Sequence, residues 1–276
     1  MKRLVVTADD FGLCPEVNEA VRRAHRDGVL TCASLMIGAA AAAEAVTIAR
    51  DDGLAVGLHL TLVEGRPVLP PARVPDLVDA HGGFRSGPVG LGFRLAASRR
   101  VREQVAAECA AQVEAFLATG LAIDHVNAHH HLHVHPYVLA VVLALARRHR
   151  IPAVRVPRQP GVPPAAQALS AAALAPWAAR ARSRLRGAGI VTNDALFGLY
   201  ETGAMTEAAW LTVVPRVRPG VTEVYCHPAT ATRGVLRETM AHYRHADELA
   251  ALVSPAVGAA LARAGIRRVS FAGACR

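Results

Sequence analysis

Short apolar, β-branched runs alternate along the chain with longer stretches whose apolar residues recur every three to four positions, and this alternation predicts parallel βα units. Strands are expected at residues 3–8, 31–37, 55–60, 122–127, 153–156, 190–192, 221–226 and 268–271. One helix opens at Pro15, a favoured first helical position, with Val17, Ala20, Val21 and Ala24 on one face. Others are expected near 41–50, 100–118, 136–148, 206–214 and 237–264. Roughly seven or eight βα units give an α/β fold of the TIM-like (β/α) barrel type, and 276 residues suit one such domain over 1–276.

Two stretches break the rhythm, 63–98 and 159–189, and both are expected as insertions over the active face. In the second, Trp177, Ala181 and Leu185 fall four apart, with Arg180 and Arg184 on one flank and Arg182 and Arg186 on the other. That pattern suits a basic amphipathic helix, packed on the barrel or docked on an anionic membrane surface.

Composition narrows the function classes. With 52% hydrophobic residues the chain is globular, and no apolar run approaches the eighteen or so residues of a membrane span. Met1 leads at once into a strand pattern, so neither signal peptide nor anchor is expected. The five cysteines are odd in number and widely spaced, which fits a reducing cytoplasm rather than a disulfide framework. The charge of +9 comes from scattered arginines, and aromatics make up 4%, so the stacking platforms of nucleic-acid binders are missing and no nucleic-acid partner is expected.

The polar clusters lie where expected strands end, and in a barrel those points converge on one rim. Asp9 and Asp10 follow the first strand, His59 closes the third, His129 to His131 follow the fourth, and His227 follows Val224-Tyr225-Cys226. Adjacent strand residues point to opposite faces, so Asp9 and Asp10 share a site only where the chain bends, for which Gly12 is the candidate. Without that bend they would form an Asx turn or cap the following helix. A lone His59 in an apolar strand would ordinarily be a hydrogen-bonded core residue. Six histidines in the eleven residues 125–135 exceed any structural need. Pro136 starts a helix, so only one or two of them reach the centre, with His135 as a cap or surface residue. One carboxylate and two imidazoles would leave positions on a divalent metal open, as hydrolytic sites require. No nucleophile elbow, Walker loop or dinucleotide fingerprint competes.

Thr7-Ala8-Asp9-Asp10-Phe11-Gly12-Leu13, Gly57-Leu58-His59-Leu60, Asp124-His125-Val126-Asn127-Ala128-His129 and Val154-Arg155-Val156-Pro157, in this order, resemble the YdjC-like carbohydrate deacetylases. Pro15-Glu16-Val17-Asn18-Glu19-Ala20 and Gly65-Arg66-Pro67-Val68-Leu69-Pro70-Pro71 bring the chain nearest to the branch associated with hopanoid biosynthesis. The resemblance implies a distorted (β/α) barrel binding one divalent ion through Asp10, His59 and His129. It further implies Asp9 as the base that activates water, His227 as the acid that protonates the departing amine, and Arg155 holding substrate or orienting Asp9. The family commonly carries magnesium, whereas an Asp/His/His set suits zinc or another transition metal. His130 departs from the branch, where a basic residue tends to stand, which puts it against substrate rather than metal; His131 is likewise assigned to substrate. The implied substrate is an acetylated amino sugar, in this branch an N-acetylglucosaminyl hopanoid, with a soluble chito-oligosaccharide as the alternative and peripheral contact with the inner membrane surface as a corollary. A non-catalytic basic binding protein is the remote alternative.

Overall fold

The computed structural model describes residues 1–85 and 87–275. Its strands are β1 (Lys2–Phe11), β2 (Cys32–Leu35), β3 (Ala55–Leu60), β4 (Ile123–Ala128), β5 (Ala195–Phe197), β6 (Gly220–Cys226) and β7 (Ile266–Arg268). The helices are α1 (Pro15–Asp27), α2 (Ala42–Asp52), α3 (Pro88–Ala97), α4 (Arg99–Ala118), α5 (Pro136–His149), α6 (Ala168–Gly187), α7 (Glu207–Val213), α8 (Val235–Thr239), α9 (His245–Leu252), α10 (Pro255–Arg263) and α11 (Phe271–Ala274). All strand pairs are parallel, in the order β4-β3-β2-β1-β6-β5, with β7 beside the start of β1. Isolated parallel bridges carry the sheet past β4 through Val154 and Ala153 to Val191. The result is a curled, barrel-like parallel sheet surrounded by helices. Among the described residues no helix is long and apolar enough to cross a membrane.

The expected strands at 153–156 and 190–192 shrink to these single bridges because side chains intercept the ladder. Asn193 bonds both the N–H and the carbonyl of Val156 through its amide, and the Asp194 carboxylate accepts the Val221 N–H. The regular strand forms three residues later, as β5. At the C-terminus the expected strand 268–271 ends at Arg268, and Ser270 caps α11 instead. The single helix expected over 237–264 is three, α8 to α10, the last restarted by Pro255 behind a Ser254 cap.

The first insertion is ordered by α4. Gln104, Glu108 and Gln112 recur every fourth residue, one face of a helix, and hydrogen-bond the loop backbone at Asp76, at Val68 and Leu69, and at Thr61. The second insertion is mostly α6, whose Ala178, Ala181 and Leu185 are buried while Trp177 is half-exposed.

Strand alternation sorts the core into two layers. Leu4, Val6 and Ala8 face the surrounding helices in the main apolar core. Val5, Cys32, Ala153 and Val221 face inward in a separate small cluster closed by Phe271. Two residues further along each strand the inner face turns polar: Thr7, Ser34, His125, Arg155 and Glu223 are all fully buried. A layer of this kind persists only when every group finds a partner. Gly57 on β3 makes room for it, since a Cβ there would lie 2.5 Å from the His125 ring and carbonyl oxygen. Gly57→Ala is therefore expected to cost about 1–3 kcal/mol by overpacking, read as a lowered midpoint in urea unfolding; an unchanged midpoint would show that the His125 strand yields.

Candidate active site

The first strand carries both carboxylates to one place by breaking its own alternation. Asp10 has φ +62°, and the β1–β2 register shifts between Ala8 and Phe11. The bend lies at Asp10 itself, two residues before Gly12, and Asn18 of α1 holds the following loop by accepting the Gly12 N–H and donating to the Ala41 carbonyl. Of the five non-glycine residues with positive φ among the described residues, four surround this site: Asp10, Glu64, His130 and His131. Each such residue is a cost of about 1–3 kcal/mol, and their concentration here is what a functional constraint looks like.

Asp10, His59 and His129 converge. Asp10 Oδ1 stands 3.3 Å from His59 Nε2 and 3.3 Å from His129 Nδ1, and the two nitrogens are 3.4 Å apart. Neither Asp10 oxygen makes a hydrogen bond although both are buried, and the three residues meet the distance requirement of a metal site. A buried carboxylate without hydrogen bonds, aimed at two imidazole nitrogens, fits a divalent cation bound to one oxygen and two nitrogens. Burial alone would raise the Asp10 carboxyl, but His129 and His59 outweigh it and hold it well below the usual carboxylate range.

Asp9 serves a different purpose. It accepts from both terminal nitrogens of Arg155, at 2.5 and 3.0 Å, and from the Asn127 amide at 3.0 Å. Burial pushes its carboxyl up, yet the Arg155 guanidinium prevails and keeps it ionised, far below the usual range. Arg155 is wholly buried and shared with Glu223, which also accepts from Thr7. These contacts set Arg155 against Asp9 and Glu223, and it is not among the residues that line the cavity beside Asp9.

A cavity of about 200 Å³ opens above these groups, lined by Asp9, His59, His129, His131, Tyr225 and His227 among others. His130 lines it too, with its Nε2 2.9 Å from Glu64. Left-handed backbone at His130 and His131 turns the chain so that His129 meets Asp10 while His131 packs edge-on to Tyr225. Burial drives the His131 imidazole well below its ordinary pKa, so it is neutral. His135 caps α5, accepting from the Tyr137 N–H. His227 is placed by α9: Glu248 accepts its N–H and His245 meets its carbonyl. Burial lowers His227 to about 4, so it too is neutral near pH 7.

Glu64 is a participant that its place in a Pro/Gly-rich stretch conceals; its carboxylate lies 3.6 Å from His129 Nε2. Asn127 is another, donating to Asp9 while its carbonyl oxygen meets His59 Nδ1 at 2.7 Å.

Residues 3–263 match the family described as YdjC-like protein. A carbohydrate deacetylase of Geobacillus stearothermophilus is 32% identical over 272 residues, covering 97% of this chain and 96% of that one. A carbohydrate deacetylase of Brevibacillus brevis is 39% identical over 156 residues, 56% of this chain and 59% of the other. Among solved structures, an Enterococcus faecalis V583 protein described as a cellobiose-phosphate cleavage protein superposes with a TM-score of 0.79 at 28% identity, covering 98% of this chain and 97% of its own. With its motifs in order along almost the whole chain and the carboxylates and histidines of those motifs gathered at one mouth, this protein belongs to the YdjC-like family.

Proposed function

We propose that this chain is a metal-dependent carbohydrate deacetylase that hydrolyses the acetamide of an N-acetylglucosamine unit to acetate and free amine, working as a single TIM-type catalytic domain. The observation that carries the reading is the Asp10, His59 and His129 convergence with both Asp10 oxygens unpartnered, beside an Asp9 held ionised by Arg155. The ligand set favours zinc or another transition metal over the magnesium common in the family.

Asp9 is ionised at rest and weakly basic, so it can take a proton only from a water more acidic than bulk, an acidity that a divalent cation held by Asp10, His59 and His129 would supply. Arg155 and Asn127 fix the Asp9 carboxylate, leaving it little freedom to turn away from the cavity. His227, neutral at rest, takes up a proton from solvent through the cavity it lines and delivers it to the leaving nitrogen, and Asp9 returns the proton taken from water to solvent. His130, His131 and Tyr225 line the wall available to the sugar.

Within this reading the substrate is the lipid-linked N-acetylglucosaminyl hopanoid, handled by a cytoplasmic enzyme touching the inner membrane surface. Two features support it. A neighbouring cavity of about 600 Å³ has a largely apolar wall that includes Leu13, Pro15, Met36 and Val235. Val162, ahead of the arginine-rich α6, and Leu169, in its first turn, are 92% and 85% exposed.

The test is acetate release from N-acetylglucosaminyl hopanoid and from diacetylchitobiose by protein stripped of metal and reloaded separately with Zn²⁺, Mg²⁺, Mn²⁺ or Co²⁺. Metal-dependent acetate from the lipid is expected. Acetate from the sugar alone keeps the chemistry and overturns the substrate; none from either overturns the function.

A further inference from the structure

A chain of hydrogen bonds runs from the closed end of the sheet to the mouth. Asp124 Oδ2 lies 2.9 Å from His125 Nδ1, His125 Nε2 lies 3.0 Å from Ser34 Oγ, and the Asn127 amide donates to Ser34 Oγ at 2.8 Å. Asp124 also accepts the Phe271 and Ala272 N–H groups at the start of α11.

The proton directions in this chain follow from the partners. Asp9 is an ionised acceptor, so the Asn127 NH₂ faces it and the second N–H goes to Ser34. Ser34 Oγ, already accepting, donates its hydrogen to His125 Nε2, which leaves the His125 proton on Nδ1, donated to Asp124. The Asn127 carbonyl oxygen then has one task, accepting from His59 Nδ1. Flipping the amide would set its oxygen against the Asp9 carboxylate, so a single assignment satisfies every member.

We infer that Asp124, His125 and Ser34 act as positioning residues that lock the Asn127 amide, and that Asn127 thereby keeps a proton on His59 Nδ1 and presents Nε2 as the lone pair facing Asp10 and His129. This inference rests on the proposed cation site and adds the device that orients one of its ligands, in the manner by which outer hydrogen bonds fix a histidine ligand's tautomer. Asp124, His125 and Ser34 also have the hydrogen-bond order of a nucleophilic triad. That role is closed to them: Ser34 and His125 have no exposed surface, and the Ser34 hydroxyl is already engaged on both sides.

Two readouts test it. Tautomer-resolved ¹H–¹⁵N spectra of the metal-free protein are expected to show His59 Nδ1 carrying a slowly exchanging proton, whatever the state of Nε2. Exchange should be faster in Ser34→Ala, a substitution that removes one hydroxyl without altering the cation set. Chelator competition is expected to show Zn²⁺ bound about tenfold more weakly by Ser34→Ala, with its unfolding midpoint recorded to confirm that it is folded. An unprotonated His59 Nδ1 in the wild-type protein, or equal Zn²⁺ affinity and equal exchange in a folded Ser34→Ala, overturns the inference. If wild-type protein binds no Zn²⁺ while His59 Nδ1 is protonated and its exchange responds to Ser34, the cation site falls and the tautomer lock stands.

Discussion

Asp10→Ala is expected to abolish Zn²⁺ binding and to reduce acetate release by about 10³-fold or more, corresponding to the several kcal/mol that a cation contributes to a charged transition state. Metal-free protein should lose stability as well. Asp10 is 1% exposed and His129 and His59 hold its carboxyl below the usual range, so in the folded state those imidazoles compensate its charge, and alanine leaves the His129 ring buried without its nearest carboxylate. The cost of alanine at φ +62°, about 1 kcal/mol, adds to this. The metal-free variant should therefore melt below the metal-free wild type, and the added stability that Zn²⁺ gives the wild type should be missing from the variant. Zn²⁺ affinity of the wild type should weaken as pH falls, because protons compete for the same nitrogens. At His129 burial opposes the charged ring, but the Asp10 and Glu64 carboxylates outweigh it and raise the pKa to about 10. Full acetate release by Asp10→Ala would remove the cation site from the mechanism.

The site is a product of two backbone devices rather than of one dense motif. Left-handed residues turn Asp10 and His129 toward each other, and inward-facing strand positions carry the groups that hold Asp9, Arg155 and Asn127 in place. Six strand ends and the loops that follow them contribute, so the curl of the sheet, which stacks those ends over one another, is the precondition for the chemistry.

Much of this can be read along the chain, and the boundary of what can be read is physical. Asp9, Asp10, His59, His129 and His227 stand out because acids and imidazoles at the ends of apolar strands have no reason to be there for packing. The strand–helix alternation likewise predicts most elements, since periodicity reports burial. Ser34, Asn127 and Glu223 do not stand out: each is a single polar residue in a short strand, and only knowing which parity faces the inside of the curl marks it as internal. Glu64 sits in a stretch without periodicity, and its place against His129 depends on hydrogen bonds that α4 makes to that loop tens of residues away in sequence. The missed break between Asn193 and β5 has the same origin, a side-chain amide replacing backbone ladder bonds, for which hydrophobic patterning carries no signal.

Arg155→Leu is expected to be the most damaging single substitution for stability, about 3–5 kcal/mol, a large part of the 5–15 kcal/mol typical of a folded domain. Arg155 is fully buried between Asp9 and Glu223, with its guanidinium carbon 4.7 Å from the centre of the Tyr225 ring. Leucine fills much of the volume, so the loss is chiefly that of leaving two carboxylates buried without their cation. The pH dependence separates this cause from simple misfitting. In the wild type the Asp9 pKa is depressed below 3.8, so its contribution to stability is complete above that pH and is lost only as the pH falls through the folded value. Without Arg155 the burial of Asp9 is no longer outweighed, its folded pKa moves above 3.8, and the variant should lose stability as pH rises. Urea unfolding at about pH 5 and about pH 8 should then show the gap between wild type and Arg155→Leu widening toward the higher pH, with Arg155→Lys in between because it keeps the charge and loses the two-pronged contact. A gap that is constant with pH would assign the damage to packing and release Asp9 from dependence on Arg155.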